Sequence, residues 1–181
     1  MLDALDCSPF DTRGGTTLRL DRPPYRRLPF DELLLRSRGF YESASRNAYF
    51  YWTEGGDQVL DTLYHEVTHQ LLDETKEGSR GGSQGNNWVV EGIASYMETW
   101  KKVDGKWKPG SNLQSDRIQG GKHILAGNPG WSLRSFIAID YQKFHKEGRG
   151  ENYALSGSLC HFFIHYQDGI YKEDFVSFLS A

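Results

Sequence analysis

His65, Glu66 and His69 stand in the stretch Leu63-Tyr64-His65-Glu66-Val67-Thr68-His69-Gln70-Leu71-Leu72, which reads H-E-x-x-H. On an α-helix, four residues advance slightly more than one turn. The two imidazoles therefore stack on one face and can share a Zn2+ ion, with the Glu66 carboxylate beside them to hold a water. Zinc catalysis takes three protein ligands and one open position, because Lewis acidity acts only on something the metal can still bind. Two histidines are one ligand short.

A third histidine in the pattern H-E-x-x-H-x-x-G-x-x-H is absent, since Leu72 holds the glycine position and Thr75 the last histidine position. The other common solution is a glutamate from a later helix. Glu91 opens Glu91-Gly92-Ile93-Ala94-Ser95-Tyr96-Met97-Glu98, at a separation that lets a loop fold that helix back over the first.

These residues need two helices to carry them. Gly55-Gly56 closes a preceding strand, and Asp57 is a plausible N-cap for a helix from about Gln58 to Glu74. Leu60, Leu63, Val67 and Leu71 project on one stripe and the histidines on roughly the opposite side, so the aliphatic face is expected to pack inward. Residues 78–87 are rich in glycine, serine and asparagine and read as a connecting loop. Trp88 to about Trp100 reads as the second helix. Val89, Ile93, Tyr96 and Trp100 lie on one side of it, and Glu91, Ser95 and Glu98 on the other.

Around this pair the expected architecture is α+β. Residues 1–38 form an irregular lead-in, with a strand-like alternation at Thr17-Leu18-Arg19-Leu20 and a brief helix from Asp31 to Arg38. Gly39-Phe40-Tyr41 and Asn47 to Trp52 flank a polar stretch and read as a hairpin. Residues 39–100 then hold the sheet and the zinc helices, and residues 101–181 are mostly helical. Within that last part, Asp104-Gly105 and Gly120-Gly121 suggest loops and a small hairpin. Helical spacing runs over Ser132 to about Lys146, Asn152 to about Gln167, and Glu173 to Leu179. The whole, residues 1–181, is expected to be a single domain.

Bulk properties exclude several functions. A chain of 181 residues that is 38% hydrophobic and 25% charged suits one folded domain with a true core. The net charge of -3, with scattered basic residues, gives no general pull toward nucleic acid. No apolar run reaches the roughly twenty residues needed to span a bilayer, and the first residues lack the regions of a signal peptide. The chain is expected to be soluble, of unassigned compartment and oligomeric state, with a domain of a secreted protein as one reading. Cys7 and Cys160 have no C-x-x-C spacing, so they build neither a redox motif nor a zinc ribbon. Two free thiols are the expected state.

On its two motif segments the chain resembles the gluzincins, specifically aminopeptidase N-like and thermolysin-like zinc metallopeptidases. Their H-E-x-x-H-Q is followed by a helix of the type N-E-G-F-A-S-Y. The matching segments are His65-Glu66-Val67-Thr68-His69-Gln70 and Val90-Glu91-Gly92-Ile93-Ala94-Ser95-Tyr96. A looser similarity to short bacterial gluzincin-like domains runs from about Gly39 to the C-terminus. The resemblance implies that His65, His69 and Glu91 bind zinc and that Glu66 is the general base. It also implies an antiparallel edge strand near Asn47 to Tyr51 that pairs with an extended peptide substrate.

Gluzincins commonly place a tyrosine or histidine opposite the zinc to stabilise the oxyanion, and Tyr153 is the candidate here. It opens Tyr153-Ala154-Leu155-Ser156-Gly157-Ser158, similar to a segment with a tyrosine three residues before a lysine-glycine pair. Two departures stand out. The substrate-amine motif G-x-M-E-N is absent. The position four residues after the ligand glutamate, which in thermolysin-like enzymes is an aspartate that orients a zinc histidine, is Ser95. Another group must do that orienting.

Other candidates read as structural. His161 and His165 are four apart with Asp168 nearby, but Phe162, Phe163 and Ile164 between them suggest an ordinary packed helix. His123 and His145 have no partner pattern and read as surface or loop residues. Glu98 reads either as a cleft residue or as a solvated helix glutamate. The expected activity is zinc-dependent hydrolysis of extended peptides. The alternative is a module that keeps zinc but has lost turnover.

Overall fold

The computed structural model describes residues 17–21, 39–44, 46–51, 57–75, 87–108 and 110–180. It is an α+β protein. The expected helix over Asp31 to Arg38, most of the loop at 78–87, Gly55-Gly56 and Cys7 lie outside the described residues. Two compact units account for the chain, Met1–Thr75 and Lys76–Ala181.

The first unit is a sheet with one helix. Strands β1 (Thr17–Asp21), β2 (Gly39–Glu42) and β3 (Asn47–Tyr51) are followed by helix α1 (Asp57–Thr75). The strand order is β1-β3-β2, with β1 parallel and β2 antiparallel to β3. The hairpin read from sequence is present. Its second arm, however, is the central strand of a mixed sheet, not an antiparallel edge. The strand-like stretch at Thr17 pairs along the whole of β3, from Thr17 opposite Asn47 to Asp21 opposite Tyr51. The ladder groups that were to receive an extended peptide are therefore already used.

Helix α1 lies against β2 and β3 with its polar side. Glu66, Thr68 and Gln70 are buried, whereas Leu60 is 37% and Leu71 53% exposed. The expectation that the aliphatic stripe packs inward is thus overturned for both ends of that stripe. The cause is visible at Gly39. A Cβ there would stand 2.6 Å from Thr62 Cγ2 and 3.1 Å from Glu66 Cγ. Only a glycine in β2 lets this face of the helix approach so closely. Gln70 Nε2 then donates to the Arg46 carbonyl at 3.2 Å, and Tyr41 Oη donates to Asp73 Oδ2 at 2.9 Å.

The second unit is mostly helical. It runs through α2 (Asn87–Met97), a small hairpin β4 (Lys101–Val103) and β5 (Lys106–Lys108), α3 (Asp116–Gly127), α4 (Leu133–Ile137), α5 (Tyr141–Lys146), α6 (Arg149–His165), a 3-10 turn (Tyr166–Gly169) and α7 (Lys172–Ser180). Helices α2 and α3 pack along α6 at glycine contacts. A Cβ on Gly92 would stand 2.7 Å from Cys160 Sγ and 2.8 Å from the Ser156 carbonyl oxygen, and one on Gly121 would overlap Ser158. Phe144 and Cys160 are fully buried in the adjoining core, with Trp88, Tyr96, Phe136 and Phe175. Cys160 is a free thiol.

Three sequence readings change here. Residues 116–127 are a helix, not a loop, because Gly120-Gly121 serves close helix packing rather than a turn. The single helix expected from Ser132 to Lys146 is two, each with its own N-cap: Ser132 Oγ accepts from Ser135 N and Asp140 Oδ1 from Lys143 N at 2.8 Å. Helix α6 begins at Arg149, after Gly148 at φ 66°, so Tyr153 sits in its second turn rather than at its start. Among the described residues, no helix is long and apolar enough to cross a membrane.

Candidate metal centre

The first unit brings together His65, Glu66 and His69. Their i, i+4 spacing on α1 places His65 Nε2 and His69 Nε2 3.1 Å apart, with the rings nearly edge to face at 73°. Two imidazole nitrogens each 2.0–2.1 Å from one zinc ion in tetrahedral array stand about 3.3 Å from each other. The observed pair fits that donor geometry. His65 and Glu66 are buried and His69 is half-buried, so the ring nitrogens converge where the helix meets little bulk water.

The second unit brings together Glu91 and Tyr153. Glu91 is buried on α2, and its charge acts on the Tyr153 hydroxyl of α6. Burial first, and then the Glu91 charge, push the Tyr153 pKa far up, so the hydroxyl keeps its proton and acts as a donor. The gluzincin resemblance implies an oxyanion role for Tyr153, and here its hydroxyl also lies in the field of the candidate ligand Glu91.

His145 was read as a surface or loop residue, and its placement is different. It is half-buried in α5, with Nδ1 3.3 Å from Tyr153 Oη and Nε2 4.0 Å from Glu91 Oε1. His145 thus stands between the Tyr153 hydroxyl and the Glu91 carboxylate. No short-range pattern announces His145. Its place depends on Asn152, whose Nδ2 donates to the Phe144 and Glu147 carbonyls at 2.9 Å each and so ties the end of α5 to α6.

Glu98 is largely shielded from water. It receives two hydrogen bonds from Arg117, Nε to Oε2 at 2.7 Å and an Nη to Oε1 at 3.0 Å. The Arg117 guanidinium also lies 5.4 Å from the centre of the Tyr153 ring. In the second histidine pair, His161 Nε2 lies 3.1 Å from the Gly110 carbonyl oxygen and His165 Nε2 2.9 Å from Tyr96 Oη, so each Nε2 faces a protein group. Asp168 is exposed on the 3-10 turn and does not join them.

Residues 59–181 match the family described as "Protein of unknown function (DUF1570)". The matched span includes the H-E-x-x-H segment, Glu91, His145 and Tyr153. No curated protein and no solved structure matches the chain. With the match covering most of its length, the chain belongs to the DUF1570 family.

Proposed function

We propose that the protein is a gluzincin-like zinc metallopeptidase, in which His65, His69 and Glu91 hold one Zn2+ ion and Glu66 is the general base. The observation that carries the reading is the 3.1 Å approach of two Nε2 atoms on one helix, with a buried carboxylate adjacent in sequence. Neutral imidazoles and a carboxylate are the donor set that zinc takes in hydrolases, and three ligands leave a position open. When bound, zinc supplies Lewis acidity toward a scissile carbonyl and makes a water more acidic.

The remaining chemistry belongs to the chain. Glu66 takes a proton from the attacking water on a carboxylate oxygen and returns it to the leaving amine nitrogen. Tyr153 is held protonated by burial and by the Glu91 charge, and so keeps an O–H to donate. On peptide binding that hydroxyl donates to the developing oxyanion, the role the gluzincin resemblance assigns to it. The substrate is an extended peptide, held by contacts other than strand addition to β3.

The test is cleavage of an unstructured protein by the native chain and by Glu66→Gln, with bound zinc measured in both. The proposal expects one equivalent of zinc in each and cleavage only by the native chain. Zinc retained by both with no cleavage by either identifies an inactive zinc module.

A further inference from the structure

We infer that Arg149 is an anchor for a substrate carboxylate, which directs the proposed peptidase toward peptides with an acidic side chain or a free C-terminal carboxylate beside the cleaved bond. Two guanidinium groups lie over the Tyr153 ring, Arg117 at 5.4 Å and Arg149 at 5.5 Å from its centre. They differ in what balances their charge. Arg117 is largely shielded from water and is neutralised by the two hydrogen bonds to Glu98. Arg149 is exposed in the first turn of α6, and among the described residues no carboxylate forms an ion pair with it. Glu151, two residues on, is also exposed and leaves it unpaired.

Arg149 is nevertheless held in place. Its guanidinium packs over the Tyr153 ring, whose hydroxyl lies 3.3 Å from His145 Nδ1, and His145 Nε2 lies 4.0 Å from the candidate ligand Glu91. The ring contact restricts its rotamers, which lowers the ordering cost of binding an anion. A guanidinium has five N–H donors in a planar fork, and packing over a ring face leaves its edges available for bidentate contact with a carboxylate. An exposed lysine would offer a point charge without that geometry.

The inference rests on the peptidase reading for its catalytic consequence, but the binding it predicts can be measured without turnover. The probes are short N-acetylated peptides in matched pairs: one with an internal glutamate against the same peptide with glutamine, and one with a free C-terminal carboxylate against its amide. Binding is measured by calorimetry to the Glu66→Gln chain, and kcat/KM on the native chain, each with and without Arg149→Gln.

The expected result is a preference for one or both carboxylate peptides. Arg149→Gln reduces the carboxylate-to-amide ratio by roughly 10-fold or more, as expected for a charge-assisted pair, and Arg149→Lys retains part of it. Which pair shows the preference identifies an acidic side chain or a chain terminus as the source. Equal binding of both members of each pair, or a ratio unmoved by Arg149→Gln, overturns the inference even where cleavage is found. A preference lost in Arg149→Gln without cleavage by the native chain keeps the anchor and rejects the peptidase.

Discussion

In the first unit α1 turns its polar side to the sheet and leaves Leu60 and Leu71 in solvent, whereas in the second unit α2 is buried on nearly every side, Glu91 included. The two helices are held by different means. α1 rests on individual hydrogen bonds, such as Gln70 to the Arg46 carbonyl and Tyr41 to Asp73, and on the close approach that Gly39 permits. α2 rests on close packing at Gly92 against α6, together with a large aromatic core. A helix that buries polar groups gains little from the hydrophobic effect, so residues at its buried face answer to another requirement. The contrast teaches where substitutions act: on the buried polar face of α1, and at Glu91, they are expected to remove chemistry, and at the Gly92 contact of α2 to remove stability.

The largest effect separates these cleanly. Glu66→Gln is expected to reduce peptide cleavage by roughly 10²–10⁴-fold, the usual contribution of a positioned general base, with little change in the melting temperature. A matching loss of stability would erase the distinction between the two helices. Next comes Gly92→Ala, where the added methyl meets Cys160 Sγ and the Ser156 carbonyl. Overpacking of this kind costs about 1–3 kcal/mol, measurable by denaturant unfolding. An unchanged midpoint would mean that α2 is not fixed by this contact.

On the first unit, Tyr41→Phe removes only the bond to Asp73. The expected loss is about 0.5–1 kcal/mol, smaller than at Gly92, and denaturant unfolding of the variant checks it. The smallest effect is in the pH dependence of the second unit. His161 and His165 are held below their ordinary pKa of 6.5, by burial first in each case. The folded chain therefore binds fewer protons than the unfolded chain just below that value. Stability is fully present above about pH 6.5 and declines as the pH falls through 6.5 toward the folded values. Thermal melts across that window are expected to show the decline, and His165→Gln, which cannot titrate, to make it shallower.

Much of this was legible in the chain, and the exceptions share a cause. Local patterns placed α1, α2, α6, α7, the β2–β3 hairpin and the small β4–β5 hairpin, since each is set by periodicity or turn residues within a few positions. The parallel partner of β3 comes from a segment some thirty residues earlier, and nothing within β3 reports it. Gly120-Gly121 reads as a turn until α6 is seen to need the space. His145 reaches Tyr153 only because Asn152 gathers the end of α5. The motif residues stood out because their chemistry fixes their spacing. Tyr153 and His145, which share Glu91's surroundings, have no such spacing and come from the tertiary fold.

The central claim is that His65 and His69 share one metal ion with Glu91. The direct measurement is the zinc content of the purified chain beside His65→Ala, His69→Ala and Glu91→Ala, each confirmed to be folded. The account predicts about one zinc per native chain and a loss of bound zinc in all three variants. A native chain that takes up no zinc, or a Glu91→Ala chain that binds it as tightly as the native one, would contradict it.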